Sequence, residues 1–385
     1  MRRLVHRCLM LLAVLMAFVP PSRGQGLLFD GYLTHLQAAI GGAPGSGLLT
    51  DNLIHNRLNL NWYGEGAFSA SLQVRTRLLW GERVRLTPGI GPQMDGDNGW
   101  ADLTTNLARQ DAYLLNTTAD RLWLGYTQGP FEATLGRQRG NWGVSYVWNP
   151  NDIFNVYSFF DFDYVERPGS DALRLRYNTG MASSVELAAK LDSAGRLTSG
   201  LLTRLNRWNY DFQLLLGLLD ERDWVLGGGW AGGIGGYGFK GELSYFHPRE
   251  GLADTTGLFL GSISLDYNFS SGLFAQVEAL VASSTGGVEG QAFSAFYSGP
   301  LSVKSLAFAP LSLFGQVSYP ISPILNASFS GIYYPKLKGY FVGPSLSVSV
   351  AQTVDFSLFA QFFKAQAMGS TQRLNMAFAR LKWSF

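Results

Sequence analysis

Of 385 residues, 46% are hydrophobic and 14% aromatic, only 15% are charged, and glycine is abundant at 46. Past the first two dozen residues no apolar run is long enough for a membrane-spanning helix, which excludes a helical membrane protein. The formal charge of +2 is no argument for a nucleic-acid partner, and a single cysteine excludes a disulfide framework.

The chain opens MRRLVHRCLMLLAVLMAFVPPSRGQG. Arg2, Arg3 and Arg7 precede an apolar run that ends at Pro20 and Pro21, and Ser22 and Gly24 are small residues at cleavage-site spacing. This predicts a signal peptide over residues 1–24, too short for a spanning helix. Its removal takes four Arg and no acid, leaving 26 basic against 28 acidic residues and a net charge of −2. It also takes Cys8, so the exported chain has no thiol chemistry.

Residues 25–385 read as one domain of short alternating segments. In 53–62, Ile54, Leu58, Leu60 and Trp62 oppose His55, Arg57, Asn59 and Asn61. In 67–78, Phe68, Ala70, Leu72 and Val74 oppose Ser69, Gln73, Arg75 and Arg77. The same period of two recurs through 209–218, 257–269 and 353–363. The full set is 30–38, 53–62, 67–78, 119–126, 131–138, 171–178, 183–191, 199–206, 209–217, 223–231, 236–246, 257–269, 272–282, 311–319, 324–333, 341–350, 353–363 and 373–385. Many of these are about as long as a tilted strand that crosses a bilayer.

The connections alternate as well. YGEG, TQGP, RW, SS and YPIS are tight turns, whereas 39–52, 79–118, 139–170, 247–256 and 283–310 are long. Short turns on one rim and long loops on the other predict an all-β, antiparallel, up-and-down transmembrane barrel of about 18 strands, with 16 as the alternative. A propeller would show a repeat of about 40–50 residues, and none is seen. The chain ends RLKWSF, with Leu381, Trp383 and Phe385 on one face. An open edge in hydrocarbon leaves backbone groups unsatisfied, so this last strand is expected to close the sheet against the first.

If the apolar face meets lipid, parity puts Arg57, Arg75, Arg77, Arg174, Arg176 and Arg204 in the lumen, with Glu132, Glu186, Lys190, Lys240, Glu242, Asp266, Glu278, Asp355, Arg380 and Lys382. Two readings of the arginines stand: a lining that attracts anions, or polar filling paired with acidic loop residues. The stretch 136–177 is the richest in aromatics. It carries Arg137, Arg139, Trp142, Trp148, Asp152, Asp161, Asp163, Glu166 and Arg167. It is expected to fold inward as a constriction whose carboxylates meet the basic wall, or to serve only as a scaffold.

GRQRGNWG, NPNDIFN and FDFDYVERPGSDALRLRY in this stretch resemble a family of porin-like outer-membrane proteins of Bacteroidetes-type bacteria. GYLTHLQ and DNLIHNRLNLNWY resemble that family's opening strands, and there is a distant similarity to alginate-export barrels. The resemblance implies an outer-membrane barrel, and a terminal strand ending in Phe resembles the signal read by the barrel-assembly machinery. It assigns no catalytic residue.

DGDNGWAD spaces Asp95, Asp97 and Asp102 around two glycines but lacks the distal Glu of a Ca²⁺ loop, so no metal is assigned and the segment reads as a polar hairpin tip. No cofactor motif is found. The function expected is passive or facilitated passage of small hydrophilic solutes, anions or sugars among them, through the outer membrane. The alternatives are export or import of an acidic polysaccharide and, ranked lower, a hydrolase using His55.

Overall fold

The structure is a computed structural model describing residues 26–41, 47–87, 89–156, 159, 166, 169–251, 255–285, 302–367 and 370–385. The predicted signal peptide lies outside the described residues.

The alternating segments become antiparallel strands in chain order. They are β1 (Gly26–Gly41), β2 (Leu49–Tyr63), β3 (Phe68–Gly81), β4 (Thr104–Arg109), β5 (Tyr113–Gln128), β6 (Phe131–Gln138), β7 (Ser170–Gly180), β8 (Ser183–Leu191), β9 (Leu197–Arg207) and β10 (Tyr210–Leu219). There follow β11 (Asp223–Ile234), β12 (Tyr237–Pro248), β13 (Leu258–Asn268), β14 (Phe274–Ala282), β15 (Leu311–Ser322), β16 (Leu325–Tyr334), β17 (Gly339–Ala351), β18 (Val354–Ala367) and β19 (Ser370–Ser384). Each strand pairs with its sequence neighbour, except that β3 pairs with β5 across β4, and β1 pairs with β19. Eighteen strands thus form a closed barrel, and β4 is an extra strand lying only on β5.

The seam is a full ladder from Tyr32↔Ser384 to Gly41↔Asn375. Gly31 and Phe385 exchange backbone hydrogen bonds of 2.9 and 3.0 Å. The expected closure by the last strand is therefore found. Gly31 is required there, because a Cβ would lie 2.4 Å from Arg57 O and 2.9 Å from the Phe385 ring. At the other kind of junction, the β9–β10 hairpin turns on Trp208 and Asn209 alone, both at positive φ (54° and 62°), as a two-residue hairpin of matching twist demands.

Large apolar side chains within the strands face outward and remain uncovered: Leu135 is 62% exposed and Leu226 54%. A sheet that shows half of its leucines to the outside is stable only against hydrocarbon. No helix among the described residues is long and apolar enough to cross a membrane.

Two expectations need correction. Residues 79–118 were expected to be one loop. Instead β5 begins at Tyr113, and the segment before it holds α1 (Glu82–Leu86), α2 (Ile90–Asp95) and β4. The inner face was also expected to be polar throughout. Toward the long-loop rim it is apolar instead: Leu202, Leu215, Phe246, Leu260, Leu280, Phe314, Ile332, Phe341 and Phe363 point inward and are buried. Strict alternation breaks down there, as in LLLGLL (214–219), because segments of the chain pack inside and give both faces an apolar neighbour.

Candidate functional site

The segment after β6 fills that apolar inner face. Its base is tied by Gly140 N donating to Asn155 Oδ1 (2.8 Å) and by Ser170 Oγ donating to Phe154 O (2.7 Å). Trp142 packs edge-on against Phe154, with centroids 4.6 Å apart, and donates from Nε1 to Glu186 Oε1 at 2.5 Å. Gln213 on β10 donates to Trp142 O (3.0 Å). At Gly200 on β9 a Cβ would come within 2.8 Å of the Trp142 ring, so glycine permits the close approach.

Two wall carboxylates then hold the backbone. Glu242 on β12 accepts from Val144 N (2.5 Å), Ser145 N (2.8 Å) and Asn151 N (2.9 Å). Glu278 on β14 accepts from Tyr146 N (3.2 Å), Val147 N (3.1 Å) and Trp148 N (2.7 Å). Burying six N–H groups inside a barrel without partners would be prohibitive, and two acids supply all six acceptors. Ser244 Oγ adds a bond to Pro150 O (2.9 Å). Residues 302–310 complete the packing. Val303, Leu306 and Phe308 are buried in the same cluster, and Lys304 Nζ bonds both oxygens of Asp223 at 2.9 Å.

The segment also reaches the opposite wall. Tyr32 OH on β1 donates to Glu166 Oε2 (3.0 Å), and Arg121 Nη2 on β5 donates to Glu166 O (2.8 Å). Trp148, by contrast, packs on Phe314 of β15. Residues 148 and 166 therefore touch walls on different sides of the barrel. Asp161, Asp163 and Arg167 lie outside the described residues.

The basic residues fall into two groups. Arg57 on β2 is 1% exposed. It bonds Asp120 Oδ2 (2.5 Å), Gln73 Oε1 (2.6 Å) and Asn59 Oδ1 (3.0 Å). Arg75 is buried 3.9 Å from the same Asp120, and Arg77 donates to Asn116 Oδ1 (2.6 Å). The second group is on β7 and β9. Arg174 grips Glu186 with two bonds, 2.8 and 3.1 Å. Arg204 lies 3.5 Å from Glu186 and donates to Asn141 O (3.1 Å). Arg176 is opposite Glu186 in register. Two guanidiniums, Arg174 and Arg204, share one central carboxylate, Arg176 adds a third positive charge near Arg204, and all three are partly accessible. Arg57 and Arg75, enclosed and engaged, cannot touch a passing solute in this arrangement.

Arg137 sits at the end of wall strand β6 rather than in the loop. It bonds Asp97 (2.7 and 3.0 Å) and Asp171 (2.7 and 2.9 Å). Burial pushes the Asp97 carboxyl up, but hydrogen bonds from Arg137, Gly99 N and Leu103 N outweigh it and hold the group below its ordinary range. Asp95 accepts from Asn106 N (2.7 Å) and Asp102 from Thr104 N (3.3 Å), so the three aspartates organise a hairpin. Asp152 is 2% exposed. Burial raises it to about 6, with Asn155 N and Lys190 opposing. Arg139 lies at the start of the segment. His55 is enclosed, with its ring edge-on to Tyr32 at 5.5 Å.

Asp120 was not singled out from the sequence. A bulge between Gln73 and Val74 shifts register on β5, so that Asp120 and Arg121 are both buried. Simple alternation hides that. Glu242 and Glu278 were assigned to the inner face, but their role as anchors depends on a loop about a hundred residues away in sequence.

No protein-family model matches the chain, and no curated protein does. Among solved structures it is similar to OccK11 (OpdR) of Pseudomonas aeruginosa, with a TM-score of 0.59, 9% identity, and 93% of this chain and 96% of that one covered. It is also similar to OccD3 (OpdP) of the same organism (0.56, 10%, 94% and 92%). A third is OccAB2 of Acinetobacter baumannii (0.55, 12%, 93% and 98%). At these identities the likeness is one of fold, a closed antiparallel barrel.

Proposed function

We propose that this protein is a porin-like channel of the bacterial outer membrane that passes small hydrophilic solutes, with preference for anions. The observation that carries this reading is the pairing of a water-accessible basic cluster with a segment folded across the lumen. Arg174 and Arg204 flank one carboxylate, Glu186, which also holds Trp142 of that segment, and Arg176 lies beside them as a further positive charge. Excess positive charge in a low-dielectric constriction concentrates anions. The barrel fold shared with OccK11 and OccD3, and the uncovered apolar exterior, support the membrane location.

Export from the cytoplasm would use residues 1–24, and insertion by the barrel-assembly machinery would read the terminal Phe385. The relation to the Bacteroidetes-type family rests on the GRQRGNWG and NPNDIFN stretches. No catalytic step belongs to this reading.

Liposome swelling tests it. Vesicles carrying the protein should admit a small acidic sugar faster than a neutral sugar of the same size. Equal exclusion of both solutes overturns the channel. The acidic-polysaccharide alternative instead predicts tight block of ion current by a polyanion, lost in Arg77→Ala with Arg176→Ala.

A further inference from the structure

Asp223 on β11 pairs with Pro248 on β12, and the ladder continues one step, with Arg249 N donating to Arg222 O at 2.6 Å. Arg222 and Arg249 therefore stand directly opposite each other. The alternation that turns Trp224 and Leu226, and Tyr245 and His247, to the outer face continues to these two arginines. Both are exposed, and among the described residues neither guanidinium has an ion pair. Like charges directly opposite on a ladder repel, so the pair carries a cost unless an anion lies between. Of the adjacent acids, Glu221 accepts from Leu197 N (3.3 Å) and Glu250 is exposed.

Immediately below on the same outer face is a groove of about 720 Å³. Leu187, Leu201, Leu216, Trp224, Leu226 and His247 line it. His247 Nδ1 lies 3.3 Å from Tyr245 OH, which leaves a polar edge at the top of an apolar furrow. The two arginines are on the rim that carries the long segments 139–169 and 283–310, the outward-facing rim of such barrels.

We infer that Arg222, Arg249 and the groove beneath them bind a phosphorylated, multiply acylated glycolipid of the outer leaflet. A phosphate sits between the two guanidiniums, whose planar donors match its oxygens, and an acyl chain runs along Leu187, Leu201 and Leu216. The inference rests on the outer-membrane reading above but not on the channel.

The test is native mass spectrometry of the delipidated full barrel in detergent. The probes are diphosphorylated lipid A, its dephosphorylated counterpart and phosphatidylglycerol, each alone. The wild type is expected to retain diphosphorylated lipid A. Arg222→Glu with Arg249→Glu should lose about tenfold or more in affinity, and Leu216→Trp, which fills the groove, should also bind more weakly. The heat-resistant mobility of each variant on gels verifies folding. Unchanged lipid A binding by the charge-reversed barrel overturns the inference. So does equal retention of the dephosphorylated lipid or of phosphatidylglycerol. Ion conductance recorded on the same preparations separates this failure from failure of the channel reading.

Discussion

The most consequential single residues are two acids whose partners are backbone amides. Truncating Glu242 strips acceptors from three N–H groups, at about 1–3 kcal/mol for each left buried and unsatisfied. Glu242→Ala is therefore expected to free residues 142–156 while the barrel stays closed. Limited proteolysis should then cut inside that segment, and the heat-resistant mobility should persist. Resistance equal to wild type would contradict the anchoring. Asp152 gives the same segment a pH dependence. Its folded value near 6 stands above its ordinary 3.8, so the unfolded state ionises first. Stability is present in full below about pH 4, is lost as pH rises to about 6, and amounts to roughly 3 kcal/mol at most. Amide exchange of residues 142–156 should therefore speed up over that window beyond the intrinsic rate. Asp152→Asn should abolish the extra acceleration.

At the scale of elements, much was legible. A period of two is a local property of the chain, and each of the eighteen barrel strands overlaps a segment that shows it, from 30–38 in β1 to 373–385 over β19. The order of tight turns and long loops was legible for the same reason. What alternation cannot show is where a loop goes. Residues 144–151 are held by Glu242 and Glu278, about a hundred residues downstream. The apolar inner face was written in LLLGLL (214–219) as a loss of alternation, and its meaning emerges only with Trp142 and Ile153 packed beside it. Arg57 was expected to line the lumen; it is enclosed, and that enclosure depends on Asp120, which a bulge delivers. Asp161, Asp163 and Arg167, expected at the constriction, lie outside the described residues. Replacing residues 142–154 with a short Gly-Ser linker should enlarge single-channel conductance severalfold. An unchanged conductance would make the segment a scaffold only.

For the whole molecule, closure governs everything else. The seam between β1 and β19 leaves no edge for hydrocarbon to face, and Gly31 sits where Arg57 O and the Phe385 ring leave no room for a side chain. Gly31→Val is expected to lower the yield of barrel with heat-resistant mobility. Full yield would show that the seam tolerates a displaced Phe385. A closed wall with an apolar exterior, an inward-packed segment and an uneven share of arginine are the features on which the proposed selective aqueous path rests. Reversal potential under asymmetric salt, recorded for single molecules in a planar bilayer, addresses that claim most directly. Discrete conductance steps with anion preference are expected, and the preference should shrink in Arg77→Ala with Arg176→Ala. Absence of steps, or preference for cations, would contradict it.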